Sequence, residues 1–383
     1  MSLIHPRKVL FSPNARFCAS FLFCCLAVNI SVAQTSAKKA EEKKTAVLPA
    51  KKSVSASTAK TVVKTVARSS PQQSPQQSSA LRFITTAFDV NLRETPSAGA
   101  KEVGELSVGT AVRSLERSAE KQTIGDKTDY WHRIETAGAS KKTGWIFGGF
   151  LRQFDAAQRE TIYKELADER AKAAGKDFSD NSELYEFLTK ILPEIKTPAT
   201  AAELSFVRLL ALKNALAAIP FEKQSDAAYK AFTGAQEASV VYSEPSGEWY
   251  VRSDLLWDLA KKYKTLPVGE KIAWTAAENP LPGECEGYLN CYLYLLKVTQ
   301  GKYLELFPRG AHARESLKTI GEWLQPFVAD AKKKETYTGP SEAAEKAEFY
   351  QAIADLRVRV SKTGLFEKDA VLRQLNQVAE GYR

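Results

Sequence analysis

The chain has 383 residues, of which 44% are hydrophobic and 26% charged, and this composition is typical of a soluble globular protein with more than one domain. It excludes a globally disordered chain and a polytopic membrane protein. Lys and Arg number 54 against 45 Asp and Glu, which gives a net charge of +9. Residues 1–34 contribute +3 and residues 35–80 contribute +7, so the rest of the chain is almost neutral. We therefore predict no nucleic-acid partner, because such a partner requires a basic folded surface.

The N-terminus has the pattern of a secretory signal peptide over residues 1–33. Basic residues precede an apolar run at 17–28, and small residues at Ser31 and Ala33 provide a cleavage site after Ala33. The apolar run is shorter than the roughly 20 residues that cross a bilayer, which argues against a permanent anchor. The pattern predicts a protein located in the periplasm or secreted.

Residues 34–81 are predicted to form a disordered basic linker. The segment is rich in Lys, Ala, Ser, Thr and Gln and has no aromatic residue, so it cannot bury enough apolar surface to offset the entropy of ordering. Its simplest role is that of a solvated spacer. Its charge also favours a weak contact with an anionic envelope surface.

Short β-prone runs separated by turns follow at residues 82–153. The clearest runs are Val90-Asn91-Leu92-Arg93, Val103-Gly104-Glu105-Leu106, Val112-Arg113-Ser114-Leu115, Tyr130-Trp131-His132-Arg133-Ile134 and Gly144-Trp145-Ile146-Phe147. Their spacing predicts a small β-barrel. These runs, with the Gly-Glu-Leu-Ser-Val-Gly-Thr segment at 104–110 and Gly148-Gly149-Phe150-Leu151 at the end, resemble the bacterial SH3 domain. The resemblance implies a barrel of five to seven strands that binds cell-wall peptide or another envelope component.

Four aromatic residues of this module are candidates for a ligand-binding groove: Tyr130, Trp131, Phe147 and Phe150. Neighbouring residues of a strand face opposite sides, so at most one of Tyr130 and Trp131 belongs to the core. We expect Trp145 to lie in the core and His132 to be a surface residue that ligates no metal.

Residues 155–383 change to helical spacing and predict an all-α domain of antiparallel helices joined by short connections. The predicted helices cover residues 155–175, 181–192, 200–219, 222–233, 248–264, 268–278, 287–306, 311–330, 341–361 and 366–382. The helix at 287–306 is apolar nearly all round, which predicts a buried central helix. The junction at 303–317 resembles that of tetratricopeptide-type hairpins, over one hairpin at 287–330, and implies a partly repeat-like region.

Two cysteines, Cys285 and Cys291, remain after the predicted cleavage, and an oxidising compartment favours a disulfide between them over two free thiols. Residues six apart in a regular helix are too far apart for this bond. We expect Cys285 in a turn after Pro280 and Pro282, bridged to a helix that carries Cys291.

No catalytic motif is evident, and we predict no enzymatic activity, no catalytic residue, no metal site and no cofactor. The predicted mature chain has His132 and His312 as its histidines, and it lacks His-Glu-x-x-His, Gly-x-Ser-x-Gly and Gly-x-x-x-x-Gly-Lys. The alternative is a carboxylate-dependent hydrolase of the muramidase type, since that chemistry requires two suitably spaced acids. Its candidate acids are Glu203, Glu248, Glu284 and Glu286.

Taken together, the sequence predicts a multidomain protein: a small all-β SH3-like barrel followed by an all-α domain of antiparallel helices. Its predicted function is that of an exported cell-envelope scaffold whose barrel binds peptidoglycan or an envelope protein. The alternative function is that of a peptidoglycan-processing hydrolase. The sequence does not indicate an oligomeric state.

Overall fold

The computed structural model describes residues 82–137 and 141–383. The predicted signal peptide, residues 1–33, and the predicted basic linker, residues 34–81, lie outside the described residues. No helix of the described part of the chain is both long and apolar enough to span a bilayer.

The first region is a seven-stranded antiparallel sheet that forms an SH3-like half-barrel. Its strands run in the spatial order β3-β2-β6-β5-β4-β1-β7. In chain order they are β1 (Arg82–Thr85), β2 (Val90–Arg93), β3 (Glu102–Leu106), β4 (Ala111–Ile124), β5 (Lys127–Thr136), β6 (Thr143–Phe147) and β7 (Leu151–Gln153). The register of β4 against β5 shifts at two irregularities, and such bulges bend and twist a strand pair.

Alternating side chains of these strands fill a small apolar core. Its buried members are Val90, Leu92, Leu106, Val112, Ile134 and Ile146. Gly144 packs directly on Leu92, where a Cβ atom would overlap the leucine side chain. The period-two pattern of the sequence is therefore realised as an apolar face of the sheet.

The second region is helical. Its helices are α1 (Arg159–Ala173), α2 (Phe178–Ile191), α3 (Pro198–Ala217), α4 (Ala227–Ala235), α5 (Ser253–Lys262), α6 (Pro267–Ala277), α7 (Leu289–Val298), α8 (Gln300–Leu306), α9 (Ala313–Asp330), α10 (Ala343–Ser361) and α11 (Lys368–Gly381). The predicted fold class, a small β-barrel followed by a helical region, is confirmed.

Two apolar cores stabilise the helical region, and α3 contributes to both. Leu204 and Leu212 of α3 pack in the first core with α1, α2 and α4. Phe206 and Leu209 pack in the second core with the helices from α5 onward. The single long helix thus links the two halves, because its apolar residues cover more than one face.

The predicted helix at 248–264 is wrong in its first part, which forms a β-hairpin. Strands β8 (Val240–Ser243) and β9 (Glu248–Val251) pair antiparallel, and α5 begins only at Ser253. Trp249, Tyr250 and Val251 favour a strand, and Gly247 adopts a φ of 67° in the connecting turn, which favours glycine.

The predicted continuous helix at 287–306 is also wrong, because the chain breaks between α7 and α8 at Thr299, whose φ and ψ are −107° and −103°. Val298, Thr299 and Gly301 are weak helix formers, and a Cβ at Gly301 would crowd the carbonyl oxygen of Leu296. Nor is the segment buried all round, since Tyr288 and Tyr294 are 54% and 57% exposed.

The half-barrel packs directly on the first helices. Ile84 of β1 and Val108, in the turn between β3 and β4, belong to the helical core that includes Phe187. Gly109 has a φ of 74°, and a Cβ atom there would overlap the Phe187 ring. Glycine at this turn therefore both adopts the required backbone conformation and leaves room for the Phe187 ring of α2.

Candidate functional site

The half-barrel carries an aromatic pocket of about 200 Å³, lined by Ala87, Phe88, Asp89, Val90, Asn91, Arg93, Ala98, Ile124, Trp131, Phe147 and Phe150. We call it the aromatic pocket. Its walls come from the loop between β1 and β2, the loop after β2, the tip of β4, and strands β5 and β6 with the 3₁₀ turn that follows. Ligand sites in proteins have this mixture of apolar walls and a few polar groups.

Three aromatic rings pack edge to face along one wall. The ring centroids of Trp131 and Phe147 lie 5.8 Å apart, and those of Phe147 and Phe150 also lie 5.8 Å apart. Trp131 and Phe147 are each 2% exposed, whereas Phe150 is half-buried. Phe147 therefore holds the neighbouring rings in place, and Phe150 is the more accessible of the two phenylalanines.

Gln122 connects two walls of the aromatic pocket. The indole Nε1 of Trp131 donates a hydrogen bond of 2.9 Å to Gln122 Oε1, and Gln122 Nε2 donates one of 2.9 Å to the carbonyl oxygen of Pro96. One amide side chain thus satisfies the indole N–H and ties the loop after β2 to β4. This arrangement fixes the orientation of the tryptophan ring.

The glycine pair after β6 permits the close packing behind Phe147. A Cβ at Gly148 would crowd the backbone of Tyr130 and the Asp129 carboxylate, and one at Gly149 would crowd the Phe147 ring. The Gly-Gly sequence therefore allows Phe147 and Phe150 to reach the same pocket.

A carboxylate lies at one side of the pocket. Asp89 is exposed and has a φ of 49°, a left-handed conformation that Asp adopts more readily than most residues. Glu183 of α2 lies near it, and its Oε1 accepts a hydrogen bond of 2.5 Å from the backbone amide of Val108. Helix α2 thus supports a residue that lines the pocket.

The acids around Asp89 have raised pKa values. Burial raises the pKa of Glu183 to about 7; the Val108 amide acts in the opposite direction, and the Asp89 charge adds to the rise. Burial and the Asp89 charge also raise the pKa of Glu105. For Asp180, burial raises the pKa first and the charges of Asp177 and Asp89 add to it. Burial thus favours the protonated form of the Glu183 carboxyl group.

The structure brings together three of the four aromatic residues that the sequence singled out. Trp131, Phe147 and Phe150 line the pocket. Tyr130 does not line it and lies instead beneath Arg117 and Lys121, at 4.2 Å and 5.2 Å from its ring centroid. This division follows the alternation of side chains along β5.

Sequence reasoning missed Phe88, Asp89 and Gln122. Phe88 and Asp89 directly precede β2, and no local sequence signal marks them as lining residues; the positive φ of Asp89 is visible only in the structure. Gln122 lies on a long strand with no distinguishing pattern.

Two expectations about other residues of the barrel are wrong. Trp145 is half-buried and outside the apolar core, in which its neighbour Ile146 lies. His132 is 9% exposed rather than on the surface; its Nδ1 lies 3.0 Å from Ser114 Oγ and its ring packs against Phe83. Burial lowers the pKa of His132, as expected for an imidazole removed from water.

A second hollow, of about 520 Å³, lies beside β1 and β4. Its lining residues Ala137 and Lys141 flank residues 138–140, which lie outside the described residues. We assign no site to it.

In the helical region, Cys285 and Cys291 form a disulfide with their Cα atoms 5.4 Å apart. Cys285 lies in the loop before α7 and Cys291 lies on α7, which agrees with the predicted placement.

The carboxylates considered for hydrolysis have separate surroundings. Glu203 forms an ion pair with Lys164, and Glu248 accepts a hydrogen bond of 2.8 Å from the Tyr250 hydroxyl. Glu284 and Glu286 are exposed on either side of Cys285. Within the part of the chain that the structure describes, no cluster of three or more His, Cys, Asp or Glu residues could hold a metal ion.

Comparison with known families agrees with this geometry. Residues 89–152 match the family model of the bacterial SH3 domain. The curated proteins and the solved structures that were compared with the chain contain no match. The strand-rich region is thus a bacterial SH3 domain, a class of binding module often associated with the cell wall. The chain as a whole is a multidomain protein in which this domain precedes a helical region.

Proposed function

We propose that this protein is an exported, non-enzymatic envelope protein whose bacterial SH3 domain binds a cell-wall component in the aromatic pocket. The observation that carries the proposal is the convergence of Trp131, Phe147 and Phe150 on one cavity within the segment that matches the family. Peptidoglycan is the proposed ligand, since a side chain of one of its short peptides is of a size to enter this cavity. The helical region serves as the scaffold for the domain.

Two features of the chain support an envelope location. Residues 1–33 have the pattern of a signal peptide, and Cys285 and Cys291 are disulfide-bonded, a state that persists in oxidising compartments. The basic residues of 34–81 would add a weak attraction to an anionic envelope surface.

The test is co-sedimentation of the full chain with purified peptidoglycan sacculi. We expect Phe150→Ala to weaken binding by about tenfold, because it removes an accessible ring from the pocket wall. Tyr130→Ala is the matched control, since Tyr130 lies on the same half-barrel outside the pocket, and it should bind as the wild type does. Absence of binding by the folded wild type, or equal losses in both variants, would contradict the proposal.

A further inference from the structure

The charges that line the aromatic pocket are not balanced. Asp89 and Arg93 are the charged residues of its lining. Arg93 is occupied, because Nη1 donates a hydrogen bond of 2.8 Å to the Ala100 carbonyl oxygen and Nη2 lies 3.1 Å from Glu102 Oε1. Asp89 forms no salt bridge with any lysine or arginine of residues 82–137 and 141–383. The lining therefore offers a ligand one uncompensated carboxylate.

The surroundings of Asp89 add further acids, since its charge acts on Glu105, Asp180 and Glu183. Two cations also act on these acids, Lys142 on Glu105 and Arg170 on Asp180. The cations that approach the region already have partners. Arg170 lies over the Phe88 ring at 5.5 Å, Lys127 donates to the Gly149 carbonyl oxygen at 2.8 Å, and Lys142 donates to that of Glu105 at 3.2 Å.

The aromatic walls also favour positive charge. Aromatic rings attract cations through the negative potential of their faces, most strongly for indole. Lys127 Nζ already lies 5.4 Å from the centroid of the Phe150 ring. A cavity of about 200 Å³ has room for roughly seven water molecules, which matches one side chain with a charged end.

We infer that the aromatic pocket binds its ligand through a primary amine, with the ammonium group at Asp89 and the apolar stem of the ligand against Phe88, Trp131 and Phe150. This inference rests on the proposed function, because it names the chemical group that the wall-binding pocket recognises. Glu183 is a positioning residue, since it acts through Asp89. No covalent step is involved.

The experiment uses intact sacculi and sacculi whose free amines have been acetylated, each co-sedimented with the full wild-type chain at the same ionic strength. We expect acetylation to weaken binding by about tenfold, the size of a charge-assisted contact combined with an aromatic one. Acetylation removes positive charge from the sacculi and would strengthen any attraction to the basic residues of 35–80. If electrostatic attraction to that segment alone held the protein on the sacculi, acetylation would increase binding. A loss of binding therefore reports on the aromatic pocket.

Asp89→Asn tests the residue itself, because Asn tolerates the left-handed conformation of this position. The variant should bind both preparations with the same, about tenfold weaker, affinity. Asp126→Asn is the control, since Asp126 is an exposed carboxylate of the same domain, at the turn between β4 and β5.

Each outcome decides between the two proposals. Equal binding of the wild type to intact and acetylated sacculi would overturn the amine inference and leave wall binding standing. Absence of binding to both by the folded wild type would overturn the proposed function and the inference with it. Equal losses in Asp89→Asn and Asp126→Asn would show that general charge, and not the pocket, attracts the amine.

Discussion

Glu183 on α2 accepts a hydrogen bond of 2.5 Å from the backbone amide of Val108, in the turn between β3 and β4 of the half-barrel. The same carboxyl group lies close enough to Asp89, which lines the aromatic pocket, for the Asp89 charge to raise its pKa. The helical region is thereby connected to the binding surface of the SH3 domain by one titratable side chain. Burial raises the pKa of this carboxyl group, which makes the stability of the protein dependent on pH.

The first prediction concerns the direction of that dependence. Because the pKa of Glu183 is raised from 4.5 to about 7, the folded state binds more protons than the unfolded state between these values. The stabilisation is complete below about pH 4.5 and is lost as the pH rises through 7. Since Glu183 is half-buried and screened by water, we expect a loss of about 1 to 2 kcal/mol in the free energy of unfolding.

Urea denaturation of the wild type and of Glu183→Gln at pH 5 and pH 8 measures this effect. The variant retains an oxygen for the Val108 amide but cannot ionise, so its stability should fall less between the two pH values. Some dependence will remain, because the pKa values of Glu105 and Asp180 are raised in the same direction. An identical pH profile for the two proteins would contradict the assignment.

The second prediction concerns the turn that meets α2. Gly109→Ala should lower the free energy of unfolding by about 2 to 4 kcal/mol. An alanine is strained in the left-handed φ of this position, and its Cβ also overlaps the Phe187 ring. Gly125→Ala is the matched control: its φ is 61°, but no atom lies within 4 Å of the new Cβ. It should cost only about 1 kcal/mol. Thermal or urea unfolding separates the steric effect from the conformational one, and equal costs would refute the contact.

The third prediction concerns the disulfide before α7. Replacement of Cys285 and Cys291 together by Ser should lower the free energy of unfolding by about 2 kcal/mol, the value expected for a short loop in the chain-entropy model. A reductant should destabilise the wild type by a similar amount and leave the double variant unchanged. A double variant as stable as the oxidised wild type would show that the bond does not constrain this loop.

The fourth prediction concerns the junction between α8 and α9. The Tyr303 hydroxyl donates a hydrogen bond of 2.6 Å to Glu270 Oε1 and accepts one of 3.1 Å from the His312 amide. Glu270 Oε1 also accepts the Ala311 amide at 2.5 Å. Burial, followed by the bond to Glu270, raises the pKa of Tyr303, so the hydroxyl keeps its proton at any physiological pH.

Tyr303→Phe should therefore cost about 1 to 3 kcal/mol, because it leaves the His312 amide and the Glu270 carboxylate without this partner. Tyr294→Phe, at an exposed tyrosine of α7, is the control and should be nearly neutral. Both values come from urea denaturation. If the two variants were equally stable, the hydroxyl would have no part in fixing the junction.

Much of the fold was predictable, because it depends on local periodicity. Alternating residues placed the strands of the half-barrel, and i, i+3, i+4 spacing placed the helices. The errors occurred where tertiary contacts select the conformation. Glu248–Val251 pairs with a second strand instead of extending α5. The chain breaks at Thr299, two residues before Gly301, which packs closely against Leu356 of α10.

The candidate site was predictable only in part. Trp131, Phe147 and Phe150 stand out as aromatic residues of β-prone runs, and the alternation along β5 correctly required Tyr130 and Trp131 to face different sides. Nothing local identified Asp89 as a lining residue. Its position depends on a left-handed backbone and on Glu183, which approaches from another region of the chain.

The sequence by itself determined the type and order of the regions, since hydrophobic period and turn residues are local properties. It also located the excess positive charge in residues 1–80 and the cysteine pair next to a proline-rich turn. Only the tertiary structure decided which residues meet at the pocket and how α2 supports it. The reason is physical: a pocket is a set of contacts between residues distant in sequence, and its charges and pKa values arise from burial and proximity that no local pattern encodes.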